Sequence, residues 1–355
     1  MDNLTITHNT SSLEKAWEGI QKAKPGIRIR EAATELGVSE AELLATTIGK
    51  ECVRLEGDWT AFVKRLPALG KVMSLTRNNS CVLEHKGTFQ KVNTFGANGH
   101  QMGTVIGPIE TRIFFKSWHV AFGVQQKKED RTLASLQVFD HEGHAITKIY
   151  LQDEGDWDAF ESILKDFESP DQSPAQRVSR YEEEQFVDTI DTEAFLTAWT
   201  QLVDTHDFFS MLKKFNVQRH RAVELAEGRF SYRVKVNSLE QILNEASSVK
   251  LPIMIFAGNR GNLQIHQGKV NTIRMLDRGE EQWLNVLDPA FNMHLRLNDV
   301  DSTWVVVKPT KDGDVTSIEV FDKHNEMIVQ FFGLRKPGLQ ELDGWRALIG
   351  KLEKV

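Results

Sequence analysis

The chain has 355 residues, of which 40% are hydrophobic and 26% are charged, so it can form two domains with ordinary hydrophobic cores. Its 50 acidic and 43 basic residues give a net charge of -7, which argues against general nucleic-acid binding because that function needs a basic face. No stretch approaches the roughly 18 apolar residues of a membrane span, and the first residues lack the pattern of a secretory signal. We therefore expect a cytoplasmic protein with no membrane insertion and no nucleic-acid partner.

The first half of the sequence predicts short helices followed by strands. Ser12 is a predicted helix N-cap, and Ser39 with Glu42 forms a predicted capping box. The paired short helices also suggest a DNA-binding helix-turn-helix, but the acidic helix at 40–51 would meet phosphates and disfavours it. An amphipathic helix over 157–167 is predicted to close this half. Strands are predicted between these helices, at 72–76, 81–85, 110–123, 135–139 and 145–151.

A polar, turn-rich segment separates the two halves. Serine, proline and acidic residues dominate positions 168–184, which is the composition of a domain boundary. A second block of helices is predicted from about 191 to 225. The predicted organisation is an N-terminal repeat over 1–168, a linker over 169–190 and a C-terminal repeat over 191–355.

The second half repeats the first at a nearly constant spacing. Ser-Leu-Gln-Val-Phe-Asp, which starts at Ser135, returns as Ser-Ile-Glu-Val-Phe-Asp from Ser317, a shift of 182 residues. Asn78 pairs with Asn259 at a shift of 181. A steady shift over separated strands indicates an internal duplication. We therefore predict an α+β fold with two tandem structural repeats, each a large twisted antiparallel β-sheet with helices.

The duplication also directs the search for function, because residues that maintain the fold belong in both copies whereas site residues can occur in one. His206 has no histidine counterpart in the first half, and Arg112 falls opposite His294. The segment 308–313 corresponds to the segment 125–131 of the first half, whose sequence is quite different. These asymmetric positions are candidates for a functional site.

His206 lies in the most distinctive context of the candidate residues. It precedes Phe208 and Phe209 on a helix predicted to begin near Asp204 or Thr205. A neutral imidazole beside aromatic side chains suits an axial ligand of haem iron, which needs a nitrogen donor and an apolar wall. From the residues alone, a helix-capping or partly buried structural histidine is the favoured alternative.

Three sequence blocks add a family resemblance to this interpretation. They read Asp-Thr-His-Asp-Phe-Phe at 204–209 with Leu-Lys at 212–213, Ile-Met-Ile-Phe-Ala-Gly-Asn-Arg-Gly at 253–261, and Lys-Pro-Thr-Lys-Asp-Gly at 308–313 with Val-Thr-Ser at 315–317. In this order, on a duplicated chain, they resemble the HemS/ChuS/PhuS family of cytoplasmic haemin-binding and haemin-degrading proteins of Gram-negative haem-uptake systems. The resemblance covers nearly the whole length and implies haem (iron protoporphyrin IX) in a cleft between the repeats.

The resemblance implies a role for each matching position. His206 matches the proximal ligand of the haem iron and Arg112 the distal arginine, and these two are also the implied catalytic residues. Hydrophobic contacts with the macrocycle are implied at Phe114, Phe209, Met254 and Phe256. Polar contacts around the haem and its propionates are implied at Arg219, Lys308, Gln330 and Arg335. The chain departs from the family at Phe332, where relatives have a tyrosine, so one hydrogen-bond donor to the propionates is missing.

The chemistry of haem suits these residue types. Aromatic and methionine side chains pack well against the apolar haem macrocycle, and arginine and lysine pair with its two carboxylates. A distal guanidinium stays charged near neutral pH and offers several donors. The alternatives are a strand arginine paired with a nearby acid for Arg112, and ordinary surface charges for Lys308 and Arg335.

The resemblance implies a haem-binding protein of a bacterial haem-uptake system that receives imported haem through an axial histidine. Oxidative degradation of haem, with release of iron and an external electron donor, is one implied activity. The alternative is a non-catalytic carrier that delivers haem to a separate haem oxygenase. The implied partners, besides haem, are the haem-import transporter and such an oxygenase. The sequence does not separate enzyme from carrier, because both need the same pocket.

Overall fold

A computed structural model describes residues 10–97, 99–187, 189–335 and 338–355. These residues form α-helices together with strands in two antiparallel sheets, which confirms the predicted α+β class. Within the described ranges, no helix has the length and apolar character needed to cross a membrane.

The helices are α1 (Thr10–Ala23), α2 (Ile29–Leu36), α3 (Glu40–Ala45), α4 (Trp59–Arg65), α5 (Trp157–Phe167), α6 (Thr192–Thr200), α7 (Asp207–Phe215), α8 (Arg219–Leu225), α9 (Ser238–Ser248) and α10 (Asp343–Ile349). The strands of the first half are β1 (Cys52–Leu55), β2 (Gly70–Arg77), β3 (Cys81–Gly87), β4 (Asn93–Phe95), β5 (Met102–Val105), β6 (Thr111–Phe114), β7 (Val120–Lys127), β8 (Thr132–Phe139) and β9 (Ala145–Gly155). The strands of the second half are β10 (Ser231–Val234), β11 (Ile253–Gly258), β12 (Asn262–Gly268), β13 (Ile273–Arg278), β14 (Glu281–Leu287), β15 (Phe291–Arg296), β16 (Val300–Lys308), β17 (Val315–Asp322) and β18 (Met327–Gly333).

The chain divides into two compact units that are not continuous in sequence. The first unit contains Met1–Arg77, Glu84–Glu182 and the short segment Asn259–Gln264. The second contains Glu183–Gly258, Ile265–Val355 and the short segment Asn78–Leu83. Each unit therefore includes a few residues from the other half of the sequence.

The strand runs of the two units correspond. In the first unit, neighbouring strands follow the order β1-β7-β8-β9-β2, and β4, β5 and β6 form a further antiparallel run. In the second unit the order is β10-β16-β17-β18-β11, with β13, β14 and β15 as the corresponding run. The internal duplication predicted from the sequence is thus present in the fold.

Two asparagines illustrate how the duplication maintains the fold. In the second unit, the Asn78 side-chain amide donates to the carbonyl oxygens of Gly258 at 3.2 Å and Ile328 at 2.7 Å. In the first unit, the Asn259 amide donates to the carbonyls of Arg77 at 2.9 Å and Ile146 at 2.8 Å. Both short segments are therefore fixed by equivalent side chains, since buried carbonyl groups need such partners.

Local sequence chemistry predicts several element ends correctly. The Ser39 hydroxyl accepts from the Glu42 backbone at 3.2 Å, and the Glu42 carboxylate accepts from the Ser39 backbone at 2.8 Å, so the predicted capping box is confirmed. The predicted helix over 157–167 is also confirmed, with the Asp156 carboxylate as its N-cap. Ser12 lies inside α1 rather than at its start, so that prediction is wrong.

The single strand predicted over 110–123 is also wrong. The chain leaves β6 after Phe114, forms a 3₁₀ turn over Phe115–Ser117 and enters β7 at Val120. Phe115 and Trp118 both turn into the core, with their ring centroids 5.4 Å apart, and the Trp118 indole donates to the Gly261 carbonyl at 3.1 Å. Burial of two large aromatic side chains outweighs strand alternation here.

Candidate functional site

His206 occupies the N-cap position immediately before α7, in the second unit. The helix begins at Asp207, later than the predicted start near Asp204 or Thr205. The Asp204 carboxylate accepts from the His206 backbone N–H at 2.9 Å, and the Asp207 carboxylate accepts from the Asp204 backbone N–H at 3.0 Å. These two bonds stabilise a turn at 204–207, which delays the helix.

The His206 side chain has neither of the ordinary structural roles predicted as alternatives. It is 94% exposed, and it makes no capping hydrogen bond to the helix. Its ring Nδ1 instead lies 2.5 Å from Asp204 Oδ1. Hydrogen bonding, chiefly from the His206 backbone N–H, lowers the pKa of Asp204, so this carboxylate is ionised near neutral pH. An ionised acceptor at Nδ1 favours the tautomer whose Nε2 lone pair is available to a metal.

The two phenylalanines after His206 have different environments. Phe208 is buried, and its ring centroid lies 4.6 Å from that of Trp199. Phe209 is 60% exposed, with the Lys213 Nζ 4.7 Å from its ring centroid. The start of α7 therefore presents a nitrogen donor and an aromatic ring to solvent. Phe208, in contrast, anchors the helix to the core.

One face of the sheet in the second unit carries partly exposed apolar side chains. Met254 on β11 lies opposite Phe332 on β18, and Phe256 lies opposite Gln330. The Phe256 and Phe332 rings pack edge to face at 5.1 Å. Gln330 Nε2 is buried and makes no hydrogen bond to the residues that the structure describes. This face combines an apolar surface with an unused amide donor.

A buried cluster of two cations and one carboxylate lies beside this face. The Glu319 carboxylate on β17 accepts from Arg219 Nε and Nη2, both at 2.8 Å, and from Lys308 Nζ at 2.6 Å. The side chain of Glu319 is fully buried and that of Lys308 is 3% exposed, whereas that of Arg219 is 30% exposed. Lys308 is therefore not an ordinary surface charge. The Phe208 ring faces both cations, 5.1 Å from Arg219 Cζ and 4.8 Å from Lys308 Nζ.

Burial and mutual attraction set the ionisation of this cluster. Burial lowers the pKa of Lys308 to about 8, although Glu319 acts in the opposite direction. Burial by itself raises the pKa of Glu319, but the attraction of Arg219 and then Lys308 outweighs it and leaves that pKa below its usual range. All three groups are consequently charged at neutral pH, with a net charge of about +1.

Arg112 and Phe114 lie in the first unit. Both are on β6, where they alternate with the buried residues Thr111 and Ile113 and so share one partly exposed face. The Arg112 guanidinium donates to Glu110 at 2.9 Å, and its side chain is 31% exposed. This ion pair matches the structural alternative for Arg112, whose role in binding stays a prediction.

The remaining predicted site residues belong to the second unit: Phe209, Arg219, Met254, Phe256, Lys308, Gln330 and Arg335, together with His206. The Arg335 side chain is 15% exposed, and its Nη2 lies 4.0 Å from Asp312 Oδ2. Two residues of this arrangement, Asp204 and Glu319, were not predicted from the sequence. The signal for Glu319 was available, because Gln137 replaces it in the other copy at the shift of 182.

Comparison with known proteins places these observations in a family. A family model described as "Haemin-degrading HemS.ChuX domain" matches residues 37–167 and again 216–352. The chain is 33% identical to "Hemin transport protein HmuS" of Yersinia pestis, over 96% of this chain and 97% of the relative.

Two solved structures extend this similarity to the fold. The structure of holo-PhuS, "a heme-binding protein from Pseudomonas aeruginosa", is 38% identical with a TM-score of 0.93, covering 98% of this chain and 100% of the other. The "heme degrading enzyme ChuS" of Escherichia coli O157:H7 is 31% identical with a TM-score of 0.87, covering 97% and 100%. The resemblance noted in the sequence is therefore confirmed.

Proposed function

The chain belongs to the family of proteins with the haemin-degrading HemS.ChuX domain, and we propose that it binds haem through His206. The relatives are named for haemin transport, haem binding and haem degradation, and haem is the ligand common to all three. Bound haem supplies an iron centre that accepts axial ligands.

The observation that carries this proposal is the environment of His206. An exposed histidine on a fixed turn, with Nδ1 against an ionised carboxylate, has little to contribute to folding. The same arrangement is common among metal-ligating histidines, in which the second nitrogen is oriented by a hydrogen-bonded acceptor. His206 is therefore the proposed iron ligand, and Asp204 orients it.

The surrounding residues fit the rest of the haem molecule. Met254, Phe256 and Phe332 offer an apolar face to the macrocycle, and Phe209 offers an exposed ring beside His206. The haem carboxylates need cations and donors, which the unit supplies from Arg219, Lys308, Gln330 and Arg335. The donor set of the second unit therefore fits a flat apolar molecule with carboxylates.

Arg112 and Phe114 are the proposed contributions of the first unit to haem binding. They share one partly exposed face of β6, which offers an aromatic ring and a guanidinium together. The guanidinium keeps its charge at neutral pH and has donors beyond the one used by Glu110. In the proposal this guanidinium would stabilise an anionic ligand of bound haem.

Two uses of bound haem are supported by different relatives. The likeness to ChuS, whose title names a haem-degrading enzyme, supports oxidative ring opening that releases iron with an external electron donor. The likeness to HmuS, named for haemin transport, supports a carrier that delivers haem to a separate oxygenase. The proposal places either activity in the cytoplasm, in keeping with Cys52 and Cys81, which are buried thiols. A haem importer and a haem oxygenase are the proposed partners.

An absorption titration of the apo protein with haemin tests the proposal, with the wild type beside His206→Ala. Saturation of the Soret change at one equivalent, with a weaker and shifted response in the variant, is expected. A wild type without a saturable Soret change would refute haem binding. Addition of a reductant with catalase present then separates the two uses: a discrete tetrapyrrole product indicates the enzyme, and a persistent Soret band with faster transfer to an oxygenase than to apomyoglobin indicates the carrier.

A further inference from the structure

The cluster of Arg219, Lys308 and Glu319 carries an uncompensated positive charge. Two cations share one carboxylate, and Glu319 and Lys308 are almost completely removed from water. A buried excess charge is costly unless a counter-charge compensates it. The cluster therefore favours one additional anion.

The accessible member of the cluster is Arg219. Glu319 engages its Nε and Nη2 in a bidentate pair, whereas no described residue accepts a hydrogen bond from its Nη1. Its side chain is 30% exposed, compared with 3% for Lys308. An incoming anion can thus contact Arg219 directly, and Lys308 strengthens the local positive potential through the shared carboxylate.

The first repeat provides an internal comparison. At the shift of 182, Gln126 replaces Lys308 and Gln137 replaces Glu319. Glu40, the first residue of α3, stands where Arg219 begins α8, and its carboxylate pairs with buried Lys148. This ion pair has no net charge. The excess positive charge is therefore a property of the second repeat and is not required by the shared fold.

We propose that Glu319 is the positioning residue of a carboxylate-binding site, in which it fixes Arg219 beside Lys308 so that the pair takes one carboxylate of a largely apolar ligand. The inference rests on the proposed haem function and deepens it, because it assigns to Glu319 a role in recognising a propionate. It requires that a negatively charged residue strengthens the binding of a negatively charged ligand. Simple electrostatic screening by Glu319 predicts the opposite sign.

Haemin and haemin dimethyl ester are the probes, since the ester keeps the macrocycle and lacks both carboxylates. The wild type should bind haemin about tenfold or more tightly than the ester, the expected size for one charge-assisted hydrogen-bonded contact. In Glu319→Gln the affinity for haemin should fall by about tenfold while the affinity for the ester changes little. Glu319→Asp keeps the carboxylate and should recover most of the loss. Tighter or unchanged haemin binding by Glu319→Gln, or an equal loss for both probes, would overturn the proposal.

Two further variants separate this role from general damage. Glu40→Gln disrupts the buried ion pair of the first repeat and should leave the preference for haemin over the ester unchanged. If Glu319→Gln does not fold, Lys308→Met is measured instead, because that substitution leaves a neutral Arg219–Glu319 pair. Lys308→Met should lose most of the preference for haemin, and a full wild-type preference in it would overturn the proposal. A wild type that binds neither probe refutes the haem function itself, which is a distinct outcome.

Discussion

His206→Ala should weaken haem binding without destabilising the apo protein. The side chain is 94% exposed, and its ring hydrogen-bonds to an Asp204 carboxylate that is itself 45% exposed. Exposed positions of this kind change the free energy of unfolding by about 0.5 kcal/mol or less. For a domain of this size, that corresponds to a shift in Tm of about 2 °C or less.

Phe208→Ala is the matched control for stability on the same helix. Phe208 is 1% exposed and packs edge to face against Trp199. Its truncation should cost about 3–5 kcal/mol, from lost burial and the cavity that remains. Thermal unfolding of the apo proteins, followed by circular dichroism, should therefore separate the two variants by about 10 °C.

The haemin titration of His206→Ala completes this test. We expect the variant to have wild-type Tm, a shifted Soret band and a weakened affinity. A loss of stability approaching that of Phe208→Ala would contradict the exposure argument and favour a structural role. A variant that kept both the wild-type spectrum and the wild-type affinity would refute His206 as the ligand.

Three further predictions follow from individual side chains. Phe332→Tyr should raise haemin affinity by several-fold, because a phenol adds a hydrogen bond worth about 1 kcal/mol. The affinity for haemin dimethyl ester should rise less. Equal gains for the two ligands would exclude a contact between this phenol and a haem carboxylate. Arg112→Ala should change the rate of ligand exchange or haem turnover more than the apo Tm, and a large loss of Tm with unchanged rates would instead support its structural ion pair. Burial lowers the pKa of His266 to about 4, so below pH 6.5 the unfolded chain takes up a proton that the folded chain does not. About 3 kcal/mol of stability should consequently be lost between pH 6.5 and 4, and His266→Phe should show a smaller loss in acid unfolding; an identical pH profile would refute the assignment.

The parts of the fold that sequence predicted well depend on local chemistry. The Ser39–Glu42 capping box needs only residues three positions apart, and the helix over 157–167 needs only its own amphipathic pattern. The tandem repeat was visible because one shift relates separated strands. The prediction of one continuous strand over 110–123 was wrong, because the break in this segment depends on a tertiary core that accepts Phe115 and Trp118.

The site was predicted less completely, for a related reason. A histidine beside aromatic residues can be recognised along the sequence, but the carboxylate that orients it depends on a turn at Asp204 that helix propensity did not indicate. Glu319 looks like any acidic strand residue until Arg219 and Lys308 are seen to converge on it from α8 and β16. Burial, which decides the chemistry of such a group, is not a property of its neighbours in sequence.

Duplication partly removes this limitation, because each copy serves as a control for the other. Asn78 and Asn259 are the same residue in both copies and make the same pair of carbonyl contacts, which identifies a requirement of the fold. Glu319 and its glutamine counterpart occupy the same strand position in copies that fold alike, so the fold does not require the charge there. An uncompensated buried charge costs free energy, and the excess positive charge around Glu319, which is present in one copy alone, therefore calls for a functional explanation. By this argument, the clearest evidence for a site is a costly residue that the matching copy folds without.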